Sequence, residues 1–101
     1  MENIMVERKK DNYQLVKIGQ LLLKKRKLLG KNYSSREQFI YNRSQELFGG
    51  KEWISIRHLT NLELGKNLPS INMLITLSYA YEIDPIELFS EIVSIYKSKN
   101  G

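Results

Sequence analysis

The sequence predicts an all-α domain built from five helices, and three observations carry that prediction. Apolar residues recur at three- and four-residue intervals in five separate stretches. Residues suited to begin a helix stand at the heads of four of them, Ser35, Ser55, Ser70 and Pro85. Residues suited to end one follow two of them, Gly30 and Gly65, and Pro69 forbids continuation past the second. A chain of 101 residues, 42% of them hydrophobic, has material for one domain with a single modest core.

Residues 1–11 mix both charges and show weak periodicity, which predicts a flexible N-terminal arm. Glu2, Glu7 and Asp11 nearly cancel Arg8, Lys9 and Lys10, so a frayed terminus suits it better than an arm that enters a minor groove. The folded domain is expected over residues 12–97, with a tail at 98–101.

The first helix should run from Asp11 or Asn12 to Leu29. Leu15, Ile18, Leu22 and Leu29 make its buried stripe, with Leu21 and Leu28 widening it. Lys24, Lys25, Arg26 and Lys27 fill its last turns, where cations favour the negative helix end. The second helix should start at Ser34 or Ser35, because Ser35 and Gln38 form a capping box. Phe39 and Ile40 open its apolar side, and Leu47 and Phe48 lie near its end. Gly49-Gly50 then makes a turn. Trp53 and Ile54 plug the core at the entry of the third helix, the alternative for Trp53 being to stack on an exposed base.

The third helix, Ile56 to Leu64, is capped by Ser55. Leu59 and Leu62 share a face that must turn inward. Arg57 and Asn61, four residues apart, share another that the core does not claim. Arginine can clamp the two acceptors of guanine, and asparagine can pair bidentately with adenine. The fourth helix should span Ser70 to Tyr81, burying Ile71, Leu74, Leu77 and Tyr81 with Ile75 beside them. Ile83-Asp84-Pro85 turns the chain into a final helix carrying Ile86, Leu88, Phe89, Ile92, Val93 and Tyr96.

The formal charge is +5 and unevenly spread. Residues 1–66 hold 14 Lys/Arg against 7 Asp/Glu, whereas residues 67–101 hold 2 against 4. The basic part therefore contains the third helix, as a polyanion-binding surface requires. Enzymatic readings fare badly: His58 is the one histidine, cysteine is absent, and no glycine-rich phosphate loop or defensible carboxylate pair is present. No enzyme, cofactor, metal or small-molecule substrate is expected. The longest unbroken aliphatic run is Leu21-Leu22-Leu23, too short to span a membrane. The N-terminus lacks the apolar stretch of a signal peptide, so a cytoplasmic location is expected.

Ser55, Leu59-Thr60, Leu62-Glu63, Gly65 and Pro69-Ser70 resemble the recognition-helix pattern of the phage-repressor (Cro/cI-like, Xre-like) helix-turn-helix family. Ile18-Gly19, Leu22, Arg26 and Gly30 resemble that family's first helix, and SREQFI its second-helix opening. The resemblance covers roughly Ile18 to Phe89. It implies a five-helix lambda-repressor-like DNA-binding domain and a structural ion pair between Arg26 and Glu63. The chain departs from the family by running longer between Gly30 and Ser35, and again between Ile40 and Ser55. The second addition should lengthen the second helix and its turn.

On this reading Ile56, Arg57 and Asn61 contact bases, although Ile56 could equally anchor the helix entry. Arg36, Arg43, Lys51, His58, Thr60, Lys66 and Asn67 are the candidates for phosphate contacts. The expected function is sequence-specific double-stranded DNA binding by a transcriptional regulator, by default a repressor, in a bacterial or phage setting. A homodimer through residues 86–96, using Ile92, Ile95 and Tyr96, would match two half-sites. The alternative is a final helix that merely caps the first. The rival functions are a protein-interaction module on the same fold, antitoxin- or anti-repressor-like, and the DNA-binding part of a peptide-sensing regulator.

Overall fold

The computed structural model describes the backbone of residues 2–98 and the side chains of residues 13–98. Its elements are α1 (Glu2–Lys27), a single 3-10 turn (Lys31–Tyr33), α2 (Arg36–Leu47), α3 (Ile56–Glu63), α4 (Ile71–Tyr81) and α5 (Pro85–Lys97). The domain is all-α with five helices, and no strand occurs among the described residues. None of the described helices is long and apolar enough to cross a membrane.

Local chemistry sets where most helices begin. The hydroxyls of Ser35, Ser55 and Ser70 accept from the amides of Gln38, His58 and Met73 at 3.0–3.1 Å. The Asp84 carboxylate does the same for Ile86 at 2.9 Å, with Pro85 supplying the first helical position of α5. Each such cap contributes about 1 kcal/mol. α1 begins at Glu2 rather than near residue 12 and ends at Lys27. Its helical backbone thus passes through the stretch expected as an arm, whose side chains lie outside the described residues. Within the expected C-terminal tail, Ser98 caps α5 and residues 99–101 are outside the described part.

The core gathers one row from each helix: Ile18 and Leu22 of α1, Phe39 of α2, Leu59 and Leu62 of α3, Leu74 and Leu77 of α4, Leu88 and Ile92 of α5. Ile54 closes it between α2 and α3. Trp53 packs against this cluster, its ring 4.9 Å from Phe48 and edge-on to Phe39 at 5.5 Å. Its indole N–H donates to the Ile40 carbonyl at 3.0 Å. With both ring and donor engaged inside the fold, the base-stacking alternative loses its handle.

Several expectations need correcting. Leu28, Leu47 and Ile71 are exposed rather than buried. Ile71 occupies the first turn of α4, and Leu28 lies just past the end of α1, so neither is covered. Ile92 is 5% exposed and Ile95 packs against the core, so neither is a free dimer surface. α5 lies along α1, where Gln14 donates to the Tyr96 carbonyl at 2.7 Å and Lys25 pairs with Glu91 at 2.9 Å.

Arg43 is the largest correction, since it is 4% exposed and cannot reach a phosphate. Its Nε donates to the Ala80 carbonyl at 2.8 Å, and its Nη atoms pair with Glu46 at 2.8 Å and Glu82 at 2.7 Å. The guanidinium also lies 4.4 Å over the Tyr33 ring, a cation–π arrangement. Tyr33 in turn donates its hydroxyl to Glu46, and that bond pushes its pKa up from the usual value. Arg43 therefore clips the 3-10 turn, α2 and the carboxyl end of α4 together.

Tyr81 stacks on Phe39 at 5.7 Å, while its hydroxyl is buried without a hydrogen-bond partner among the described residues. Burial raises its pKa far above the usual 10. Below pH 10 the proton stays on in both folded and unfolded chains. Above it the unfolded phenol ionises and the folded one does not, so stability falls as pH rises. Tyr81→Phe is expected to keep stability or raise it by up to about 1 kcal/mol, because an orphaned buried hydroxyl is removed. Urea midpoints at pH 7 and pH 10.5 check this, and the variant should lose less between them.

Candidate nucleic-acid interface

α3 is eight residues long and has two unlike sides. Leu59, Leu62 and Glu63 turn inward and are buried. Ile56, Arg57, Thr60 and Asn61 take the other side, at spacings of one, three and one residues, which places them on one stripe. Ile56 is 46% exposed, Arg57 is exposed, and Thr60 and Asn61 are half-buried. Ile56 therefore does not anchor the helix entry, a place taken by Ile54. Neither the Arg57 guanidinium nor the Asn61 amide makes a hydrogen bond or ion pair among the described residues. Thr60 donates its hydroxyl to the Ile56 carbonyl at 2.7 Å, which leaves its oxygen only as an acceptor. His58 is half-buried.

A buried ion cluster holds α3 in place. The Glu63 carboxylate accepts from Arg26 Nε and Nη2, both at 2.8 Å, a bidentate pair between α3 and α1. Arg36 Nε adds a third bond at 2.7 Å from the first turn of α2. Arg26 Nη1 also donates to the carbonyls of Ser34 and Tyr33. One carboxylate thus fixes α3 against α1, α2 and the turn between them. This changes the part assigned to Arg36. Its Nε is committed to Glu63 and its side chain is 30% exposed, so only its remaining nitrogens could meet a phosphate.

Beside this cluster lies an open hollow of about 540 Å³ between the end of α1, the start of α2 and α3, with Lys27, Ser35, Arg36 and Thr60 in its lining. Lys51, Lys66 and Asn67 are exposed around α3. A second hollow, about 420 Å³, lies between α2 and residues 50–56. Its floor is apolar, with Ile40, Tyr41, Ile54 and Ile56, and it carries Glu37 and Glu52 in its lining. Of the sequence-derived contacts the fold therefore leaves Ile56, Arg57, Asn61, Lys51, Lys66 and Asn67 available, commits Arg36 in part and removes Arg43. The acid-bearing hollow had no sequence signal, because the chain from Gly50 to Ile56 folds back on α2 only in three dimensions. No family model, curated protein or solved structure matches the chain.

Proposed function

We propose that the protein is a sequence-specific double-stranded DNA-binding regulator of the phage-repressor-like (Cro/cI, Xre-like) helix-turn-helix kind. It acts in a bacterial or phage cytoplasm, repressing by occupying its site. α3 docks in the major groove with Arg57 and Asn61 toward the bases and Ile56 against a thymine methyl. The observation that carries this reading is the outward stripe of α3. A capped, rigidly held helix presents a guanidinium and an amide that are both unpaired among the described residues. Lys66, Asn67, Lys51 and the free nitrogens of Arg36 supply phosphate contacts. One short helix covers few base pairs, so two chains on two half-sites are needed for specificity.

Selection of bound fragments from random duplex DNA tests the reading directly. Arg57→Ala and Asn61→Ala are each expected to weaken the selected site by about 1–3 kcal/mol and to relax one base position. Lys66→Ala should weaken all sequences alike and flatten the salt dependence. If duplex affinity survives when Arg57 and Asn61 are both cut to alanine, the reading fails. The apolar hollow with Glu37 and Glu52 favours a second reading, a protein partner carrying basic side chains. Binding to that partner through an apolar floor would lack the steep salt dependence of a DNA complex.

A further inference from the structure

The long connection between α2 and α3 folds back along α2 and is fastened to it at three points. The Gly50 amide donates to the Ser44 carbonyl at 2.9 Å, and the Ser44 hydroxyl to the Lys51 carbonyl at 2.7 Å. The Trp53 indole holds the Ile40 carbonyl at 3.0 Å. The hollow of about 420 Å³ between this segment and α2 is therefore preformed. Glu37 stands on its α2 wall and Glu52 on the other, both exposed and neither in an ion pair among the described residues. None of the described lysines and arginines lines it. Arg36, next to Glu37 in sequence, turns its Nε to Glu63 instead. Tyr41, 65% exposed, and Ile56, 46%, carry the apolar surface outward from Ile40 and Ile54.

We propose that this hollow docks a peptide segment of another protein, an apolar anchor side chain with a lysine or arginine on each side, and that its seating there keeps α3 off DNA. Charge selects the occupant. In a chain of net charge +5, this hollow carries two uncompensated carboxylates, so it repels phosphates and attracts cations. The carboxylates stand on different walls with the apolar floor between them, which calls for a cation on both sides of the anchor. Shape selects a peptide over a small amine. Small-ligand sites enclose most of their ligand, whereas this hollow is open. Its apolar surface runs on over Tyr41 and Ile56, where a peptide backbone continuing past the anchor buries further area.

The effect on DNA follows from Ile56. That side chain lines the hollow and also heads the outward stripe of α3, next to Arg57. A segment seated on it fills the space that one wall of a major groove would take. Peptide and duplex then exclude one another, and each weakens the other's binding by the same factor. This blocking rests on the DNA reading, whereas the docking itself does not.

The docking is tested without DNA, by selecting displayed peptides of about nine residues, one large apolar residue within random flanks, on the full chain. Enriched peptides are expected to carry Lys or Arg on both sides of the anchor. In NMR titrations they should move the amide resonances of Ser44, Glu52, Ile54 and Ile56. Glu37→Lys with Glu52→Lys should weaken them at least about tenfold. Thermal unfolding should stay unchanged in that variant, since both side chains are exposed and unpaired among the described residues. No enrichment, flanks without positive charge, resonances moved only on another surface, or indifference to the two lysines overturns the docking. Hexylamine binding as tightly as the peptides would make a small amine the occupant, and the same resonances moving as the chain alone is concentrated would make it a second copy. Either result also overturns the docking. Adding an enriched peptide to the duplex complex reads the blocking: release of DNA is expected, and a ternary complex overturns it. A chain that binds the peptide but no duplex ends the DNA reading and the blocking, and leaves the docking standing.

Discussion

Replacing Glu63 by alanine is expected to cost about 3–5 kcal/mol, because it strands a buried guanidinium. The Glu63 side chain is 0% exposed and that of Arg26 3%. Arg26 would keep the Ser34 and Tyr33 carbonyls as acceptors but lose its counter-charge with no route to water. Domains of this size are stable by only about 5–15 kcal/mol in total, so the variant should lose a large share of its margin and unfold at a markedly lower urea concentration. Arg26→Ala should be comparably severe, since it leaves the carboxylate with Arg36 alone. Arg36→Ala should cost under about 1 kcal/mol, because an arm 30% exposed already shares its charge with solvent. Urea unfolding ranks the three. The double change Arg26→Met with Glu63→Leu is expected to recover much of the loss, as an apolar pair avoids the cost of burying charge. Single and double variants equally impaired would mean that the cluster's value lies in its shape and not in its pairing.

The parts of this fold that depend on neighbouring residues were legible in the sequence. Ser55 and Gly65 bracket α3 because a cap and a left-handed stop act within one turn, and the expected Ile56–Leu64 differs from the observed Ile56–Glu63 only at its last residue. Parts that depend on which side of a helix meets the rest were not. α5 carries two apolar rows, Leu88-Ile92-Ile95 and Ile86-Phe89-Val93-Tyr96, both at helical spacing. Only the packing of α5 on α1 decides that the first is core and the second surface. The sequence pattern therefore points to Ile92 and Ile95 as interface residues, although Ile92 lies in the core and Ile95 packs against it. Arg43 failed for the same reason. Its acceptors, the Ala80 carbonyl and the Glu82 carboxylate, lie 37 and 39 positions away, and no local pattern announces them. In α3 the inward Leu59 and Leu62 fix the phase, so Arg57 and Asn61 could be placed outward from sequence alone.

Gly65→Ala is expected to cost about 3 kcal/mol or more, the sum of two effects. Gly65 holds φ at +78°, and a residue with a Cβ pays roughly 1–2 kcal/mol in that left-handed region. Its added Cβ would also lie 2.5 Å from the Val16 Cα and 2.7 Å from the Val16 nitrogen. Overpacking against side chains costs about 1–3 kcal/mol, and here the obstacle is helical backbone that cannot rotate aside. Gly19→Ala probes the same approach from the other helix, where the new Cβ would stand 2.5 Å from the Glu63 carbonyl oxygen and 2.7 Å from that of Leu62. Within a helix, alanine is intrinsically favoured over glycine by about 1 kcal/mol. The sign of this second variant is therefore decisive. Loss of stability in urea unfolding requires that α1 and α3 touch backbone to backbone, whereas a gain near the intrinsic preference would show that they stand apart. A Gly19→Ala chain that still folds should carry α3 displaced at its Leu62–Glu63 end. The Arg26–Glu63 pair would loosen with it, and the stripe of Arg57 and Asn61 would be presented at a different angle.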